Sequence, residues 1–305
     1  MASAPYPTDL YNRPGASGLR ARIARGPLVV QGPLEAEFAA LPGSEGIPAT
    51  FWNAAEPQVV EGVHALAAAA GAELLITNTL RATAPHLAQD GVRQSPQEVN
   101  RAALAAARCA PGTFSLGAVG PCGIDAEIEE PEQLRTVRAA YRDQVHQLLV
   151  AGADGILLGD FGAIREIDPA LEGASVVLDG MPLAIRFTVD ADGRLPGDGL
   201  TIEEAVRHAQ LRGAELVGAA CPDFKQGLKL VKRMRSVTDL PLIICGGCPG
   251  EPRRGDDGLL FWDESPQELA EHAASWLTAG ATAVGGGPGT TTRTTAALSA
   301  LIALG

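Results

Sequence analysis

Cys245-Gly-Gly-Cys248 sets two thiols three residues apart, and Cys221 stands upstream of them at the end of another apolar run. The intervening glycines let the backbone fold tightly enough for both sulfurs to reach one ion. Three thiolates would bind Zn²⁺ at about 2.3 Å each and leave a fourth position open to a substrate atom, as in a catalytic zinc site. Two blander readings stay open. A CxxC can be a redox pair, although the setting of a strand leading into a helix that opens on the motif is missing. Free cysteines are also often small buried hydrophobes. Cys122, in Val119-Gly-Pro-Cys-Gly123, either adds a fourth sulfur or fills a turn. His64, His146, His208 and His272 fall inside helical patterns and His86 at a helix end or loop, so none is well placed as ligand or base.

A second chemical signal is Gly285-Gly-Gly-Pro-Gly289-Thr-Thr-Thr292, which ends an apolar run and opens a helix. Free backbone N–H groups at such a terminus suit a carboxylate or phosphate, which points to Gly286, Gly287 and Thr290 as anion holders; a tight turn capped by threonine is the alternative. Thr77 and Asn78, with Thr79, and Asp160 end two further runs. They present short polar groups, with Asp160 as partner for a substrate ammonium or, alternatively, as a helix cap.

These residues need a scaffold that brings run ends together. Eight short aliphatic runs recur, at Pro27–Gly32, Leu74–Thr79, Thr113–Gly120, Gly155–Asp160, Leu183–Val189, Leu216–Cys221, Leu242–Cys245 and Ala281–Val284. Between them lie helical patterns such as those starting at Glu56, Arg135 and Ser265, with acids early and Gly-Ala late. Several runs lack alternation, as expected of strands buried on both faces of a parallel sheet. Eight β/α units predict an α/β fold, a single (β/α)8 TIM barrel of parallel strands, with a doubly wound open sheet as the other option. In a barrel the loops after the strands open on one face, where the chemistry sits. The long ones here are 33–55, 121–131 and 246–264.

With 305 residues, 46% of them hydrophobic, the chain can bury one full core. Residues 1–17, rich in Pro, Gly and Ser, read as a mobile N-terminal arm, and 18–305 as the barrel. A net charge of −12 argues against a nucleic-acid partner. No apolar leader and no long uncharged apolar stretch occur, so neither secretion nor a membrane is expected. Five cysteines at scattered spacings suit a reducing cytoplasm.

From about Leu19 to the C-terminus the chain resembles the homocysteine S-methyltransferase family, which includes betaine-homocysteine methyltransferase and the homocysteine domain of cobalamin-dependent methionine synthase. The likeness is carried by GPLVVQG (from Gly26), FWNAAEPQVVEGVHALAAAAGAELLITNTL (Phe51), GAVGPCG (Gly117), GADGILLGD (Gly152), FTVDADGRLPGDGLTIEEA (Phe187), LVGAAC (Leu216), PLIICGGCPGEP (Pro241) and GATAVGGGPGTTT (Gly280). The resemblance implies a TIM barrel and a zinc-activated thiol acceptor. The family's first zinc cysteine matches Cys221, but its adjacent pair falls on Gly287 and Pro288, so Cys245 and Cys248 would have to supply a relocated site. The family's acidic residue before the first-strand glycine is Gln31 here, preceding Gly32, and its glutamate after the fourth strand falls on Gly159, beside Asp160.

The expected function is methyl transfer to a zinc-bound thiol, homocysteine or a relative. Cys221, Cys245 and Cys248 would hold the metal, and Gln31, Gly32, Thr77, Asn78, Asp160, Gly286, Gly287 and Thr290 would line the substrate site. The partners are a small thiol and a methyl donor. The Asp-x-His-x-x-Gly corrinoid signature is missing, so methyl-cobalamin would come from a corrinoid protein acting in trans; assembly as a homo-oligomer is allowed. The alternatives are a zinc-independent methyltransferase of the same fold acting on another acceptor or with a corrinoid partner, a non-catalytic small-molecule-binding barrel, and an isomerase or aldolase on a phosphorylated substrate.

Overall fold

All eight aliphatic runs form strands. In chain order the strands are β1 (Leu28–Val30), β2 (Leu74–Ile76), β3 (Phe114–Val119), β4 (Gly155–Phe161), β5 (Leu183–Thr188), β6 (Leu216–Cys221), β7 (Leu242–Gly246), β8 (Arg253–Arg254), β9 (Leu260–Phe261) and β10 (Ala283–Gly286). In the computed structural model, which describes residues 14–124, 130–256 and 258–304, β1 to β7 and β10 pair in parallel. β10 sits between β7 and β1 and closes the barrel. β8 and β9 make a small antiparallel hairpin in the loop after β7.

Alternate residues of each strand face opposite sides, which sorts the core into two layers. Leu28, Ile76, Leu116, Ala184, Ile243 and Cys245 belong to a cluster inside the barrel. Val29, Ile185, Val217, Ala219, Cys221 and Ile244 belong to the cluster between barrel and helices. Both faces are therefore apolar, which is why the runs show no alternation of hydrophobic and polar residues.

The helices start and stop on local chemistry. Ser95 and Glu98 form a reciprocal capping box at Pro96–Ala107, as do Thr201 and Glu204 at Ile202–Leu211. Gly152, at φ +109°, ends the long helix Pro131–Ala151 in a left-handed turn. No described helix is long and apolar enough to cross a membrane.

The N-terminal boundary differs from the sequence expectation. Residues 1–13 lie outside the described residues, but 14–17 are helical, within Pro14–Ala24. Gly15 and Gly18 serve close packing rather than looseness. A Cβ on Gly15 would meet Asp154 Oδ1 at 1.9 Å, and one on Gly18 would meet the Phe114 ring at 3.1 Å. The absent side chains let this helix lie against the bottom of the barrel, where Leu19 is buried in the interior cluster.

Of the three long loops expected at the top, residues 125–129 of 121–131 lie outside the described residues, and the other two are structured. The loop after β1 holds short helices at Glu35–Ala39 and Ala49–Ala55. Glu45 of that loop pairs with Arg254 of β8 at 2.9 Å, tying the two loops together over the strand ends.

Candidate active site

At the C-terminal mouth of the barrel lies a cavity of about 380 Å³, lined by the ends of β1, β2, β4, β5, β6, β7 and β10 and roofed in part by Glu35 and Trp262. Its walls include Gln31, Gly32, Thr77, Asn78, Asp160, Cys221, Cys245, Gly286 and Gly287. Nine of the eleven sequence-predicted site residues thus reach one space, while Cys248 and Thr290 do not line it. A neighbouring cavity of about 580 Å³ shares Glu35, Leu80, Arg81 and Asp160 with the first as a common wall.

The charge at this mouth comes from a residue the sequence reading passed over. Arg186 sits mid-strand in LAIRFT, two residues after the inward-facing Ala184, and is 6% exposed. Its Nη2 donates to Asp160 Oδ1 at 2.8 Å and its Nη1 to Cys245 Sγ at 3.6 Å. Its Nε has no hydrogen-bond partner among the described residues. Burial alone would weaken the cation, but the Asp160 charge and the Cys245 sulfur outweigh it, so its pKa lies above the ordinary arginine value. A lone charge in an apolar strand was the available signal, since burial of an unpaired guanidinium is prohibitively costly.

Asp160 reaches Arg186 through an unusual backbone. Its φ is +63°, at a bulge between Gly159 and Phe161 in the β4–β5 ladder. That left-handed conformation in a non-glycine residue costs about 1 kcal/mol or more and is held by its surroundings. Asp160 caps no helix. The following helix, Ile164–Ser175, has Ala163 at its cap position, and Asp198 accepts from Ile164 N at 2.6 Å. Glu35, exposed at the rim, faces the same space; its carboxyl is pushed up by the loss of water on the side packed against protein and by Asp160, with Arg186 opposing.

Other expected site residues are committed to structure. Gln31 Oε1 accepts from Nδ1 of buried His64 at 2.8 Å, and burial pulls the His64 pKa down to about 4. Thr77 Oγ1 accepts from Ala118 N at 2.9 Å and Thr79 Oγ1 donates to Ala118 O at 2.6 Å, stitching β2 to β3. Asn78 donates to Ala49 O at 2.7 Å and to Asn53 Oδ1 at 3.0 Å.

The glycine-rich terminus is an anion site that the chain fills itself. Glu264 accepts from Thr291 N at 2.8 Å, from Thr291 Oγ1 at 2.7 Å and from Thr294 Oγ1 at 2.6 Å. Glu37 accepts from Thr292 N at 2.7 Å. Both carboxylates complement the positive end of the last helix, Thr292–Leu304. Gly287 N is already bonded to Gly246 O at 2.7 Å, and Thr290 Oγ1 to Gly287 O at 2.8 Å. Gly287 and Thr290 therefore build the turn, and the expected carboxylate role at this terminus passes to Glu264 and Glu37.

The zinc trio does not assemble. Cys221 follows inward-facing Ala220, so its sulfur lies in the outer layer and donates to Cys245 O at 3.6 Å. Cys245 faces inward onto Arg186, and Cys248 donates to Gly289 O at 3.4 Å. Among the described residues no group of three or more His, Cys, Asp or Glu could hold a metal ion. Burial raises the Cys221 thiol to about 12 and the Cys248 thiol to about 11. The Cys245 thiol is raised by burial as well, against the opposing pull of Arg186. A guanidinium against the Cys245 sulfur would also repel a divalent cation. At the family's usual cysteine position a Cβ on Gly287 would meet Gly247 N at 2.6 Å. Cys122 is likewise structural, its backbone N donating to Tyr141 Oη at 3.0 Å.

The model of the homocysteine S-methyltransferase family matches residues 28–302. The chain belongs to that family. Its members are methyltransferase enzymes, and this chain carries their fold with a departure at the metal position. It is 24% identical over 253 residues to methionine synthase of Mycobacterium leprae, a match covering 78% of this chain and 21% of that protein, so the chain spans about a fifth of that relative's length. The metallated form of the homocysteine methyltransferase MmuM from Escherichia coli superimposes with a TM-score of 0.76 at 21% identity, covering 92% of this chain and 99% of that one. The carboxyl transferase domain of Rhizobium etli pyruvate carboxylase shares the barrel more distantly, with a TM-score of 0.52 at 11% identity over 90% of this chain and 41% of that one.

Proposed function

We propose that this chain transfers a methyl group to the sulfur of homocysteine or a similar small thiol bound in the barrel mouth, without the three-cysteine zinc site of its family. Family membership supports the reaction class. The observation that carries the reading is the mouth cavity itself, whose apolar walls hold one acid–base and ion-pair group, Glu35, Asp160 and Arg186. Zinc, when bound, would supply a Lewis acid for the thiolate, but the residues present do not fit it.

Asp160 is 42% exposed on its side chain, so it can accept from a substrate ammonium while keeping Arg186. The acceptor sulfur attacks the donor methyl in line: a new S–CH₃ bond forms and the donor–CH₃ bond breaks, its electron pair leaving with the donor. The S–H proton passes to Glu35, whose raised pKa suits a base. A methyl sulfonium or ammonium donor departs neutral and needs no acid. The cavity beyond the shared wall at Asp160 would hold that donor, and adjacency of the two supplies proximity.

Incubating the purified chain with homocysteine and a methyl sulfonium or methyl ammonium donor, with and without chelator, tests this. Methionine formation that survives chelation is expected. Formation that requires added zinc would favour the metal-activated reading, and formation only with a methyl-cobalamin protein would make that protein the donor.

A further inference from the structure

The family needs a positive centre against which the acceptor sulfur becomes a thiolate, and the thiols here do not build one. A different positive centre stands at the floor of the same cavity. Arg186 is buried, permanently charged and lines the space. Two of its nitrogens are engaged, by Asp160 and Cys245, while Nε–H has no partner. That donor is closed off within the protein, an unmet penalty of about 1–3 kcal/mol, and what a ligand meets is the guanidinium where Arg186 lines the cavity. Arginine holds its charge in apolar surroundings better than lysine would, because its pKa lies far above neutrality.

We infer that Arg186 is the binding residue for the acceptor's sulfur, taking it as a thiolate on the guanidinium in place of a metal ion. The inference rests on the methyl-transfer reading for the identity of the ligand and goes beyond it in assigning the sulfur's charge partner. The Cys245 sulfur at 3.6 Å shows that this guanidinium already accommodates a sulfur neighbour. On binding, the acceptor's S–H bond breaks, the electron pair stays on sulfur and the proton passes to Glu35. A neighbouring arginine cation lowers a thiol from its ordinary value of about 8.5; burial overrides that pull at Cys245, whereas the acceptor meets the guanidinium from the open cavity. Asp160 keeps the guanidinium's plane fixed, and Glu35, neutral once it holds that proton, does not repel the bound anion.

The test is calorimetric titration of the full chain in chelator-treated buffer with homocysteine and with 2-aminobutyrate, the same amino acid with hydrogen in place of the thiol. Arg186→Gln should weaken homocysteine about tenfold or more, the loss of one charge-assisted hydrogen bond, and leave 2-aminobutyrate within about twofold. Thiolate ultraviolet absorption should appear on mixing homocysteine with the wild type and vanish in the variant. Equal weakening of both ligands would assign Arg186 to the carboxylate and overturn the inference, as would no change in either. Stoichiometric zinc in the titrated wild type would overturn it too. Should Arg186→Gln unfold, Asp160→Asn with Arg186→Gln removes both charges together, and losing the ammonium contact then weakens both ligands. The thiolate absorption, expected with Asp160→Asn alone and absent from the double variant, then carries the test, and its persistence in the double variant would overturn the inference. Sulfur-dependent binding without methyl transfer would sink the function and leave this assignment standing. Methyl transfer with sulfur-independent binding would do the reverse.

Discussion

Glu264 takes both the backbone N–H and the hydroxyl of Thr291, at 2.8 and 2.7 Å, and so closes the last helix with a carboxylate from the chain itself. The Glu264 side chain is 5% exposed, and it accepts a third bond from Thr294. A glycine-rich strand end leading into a helix is ready for an anion; here the occupant is supplied by the loop after β7. That loop is thereby clamped beside the mouth, with Trp262 lining the cavity two residues away.

Removing this carboxylate should loosen the barrel's closure. Glu264→Ala leaves three donors unmet and is expected to cost about 2–3 kcal/mol, and Glu264→Gln, which keeps one acceptor, about 1–2 kcal/mol. Urea unfolding followed by circular dichroism measures both, and an unchanged midpoint in Glu264→Ala would show that the clamp is energetically idle.

Asp160 is expected to matter through Arg186. Asp160→Asn tolerates the left-handed backbone but removes the counter-charge of a buried guanidinium. Complete loss of a buried partner costs about 3–5 kcal/mol; with Asp160 42% exposed, about 1–3 kcal/mol is the expected destabilisation. Arg186→Met together with Asp160→Asn should be more stable than Asp160→Asn alone. If the single variant unfolds at the wild-type midpoint, the pair is not holding the mouth.

Restoring the family's cysteines should not restore its metal. Gly287→Cys brings a Cβ to within 2.6 Å of Gly247 N, a backbone atom that cannot move aside cheaply. We expect a loss of about 1–3 kcal/mol from overpacking. The double variant with Pro288→Cys should retain no stoichiometric zinc after dialysis, as read by elemental analysis. Tight zinc in that variant would mean the backbone relaxes to build the site with Cys221.

His64 makes stability pH-dependent. Its folded pKa is about 4 against an ordinary 6.5, so between these values the unfolded chain binds the extra proton. Stability therefore falls as pH drops from 6.5 toward 4, by about 3 kcal/mol at most from this group, and the loss levels off below about 4. His64→Gln should flatten that limb in urea titrations from pH 7 to 4, and a slope identical to wild type would assign the acid sensitivity to other groups.

The barrel was legible because its signal is local. Eight unalternating apolar runs with capped helices between them can be read from residue types alone, and each run became a strand within a few residues of its expected ends. Asp160 was legible as a mouth residue for the same reason, since it ends such a run. Gly15 misled as a loop signal because glycine marks both loose chain and close packing, and only the partner at short distance distinguishes them.

The residues alone determined which elements form and which groups arrive at the strand ends. Tertiary structure decided where those groups point. Cys221 and Cys245 lie on neighbouring strands, yet one faces the helices and the other the barrel interior, because in this register the side-chain alternation opposes them. The same closure brought Glu264 from the β7 loop to the helix after β10, and Arg186 of β5 against Asp160 of β4. A site is a matter of distances between segments far apart in the chain, and those follow from how the barrel closes rather than from any one stretch of residues.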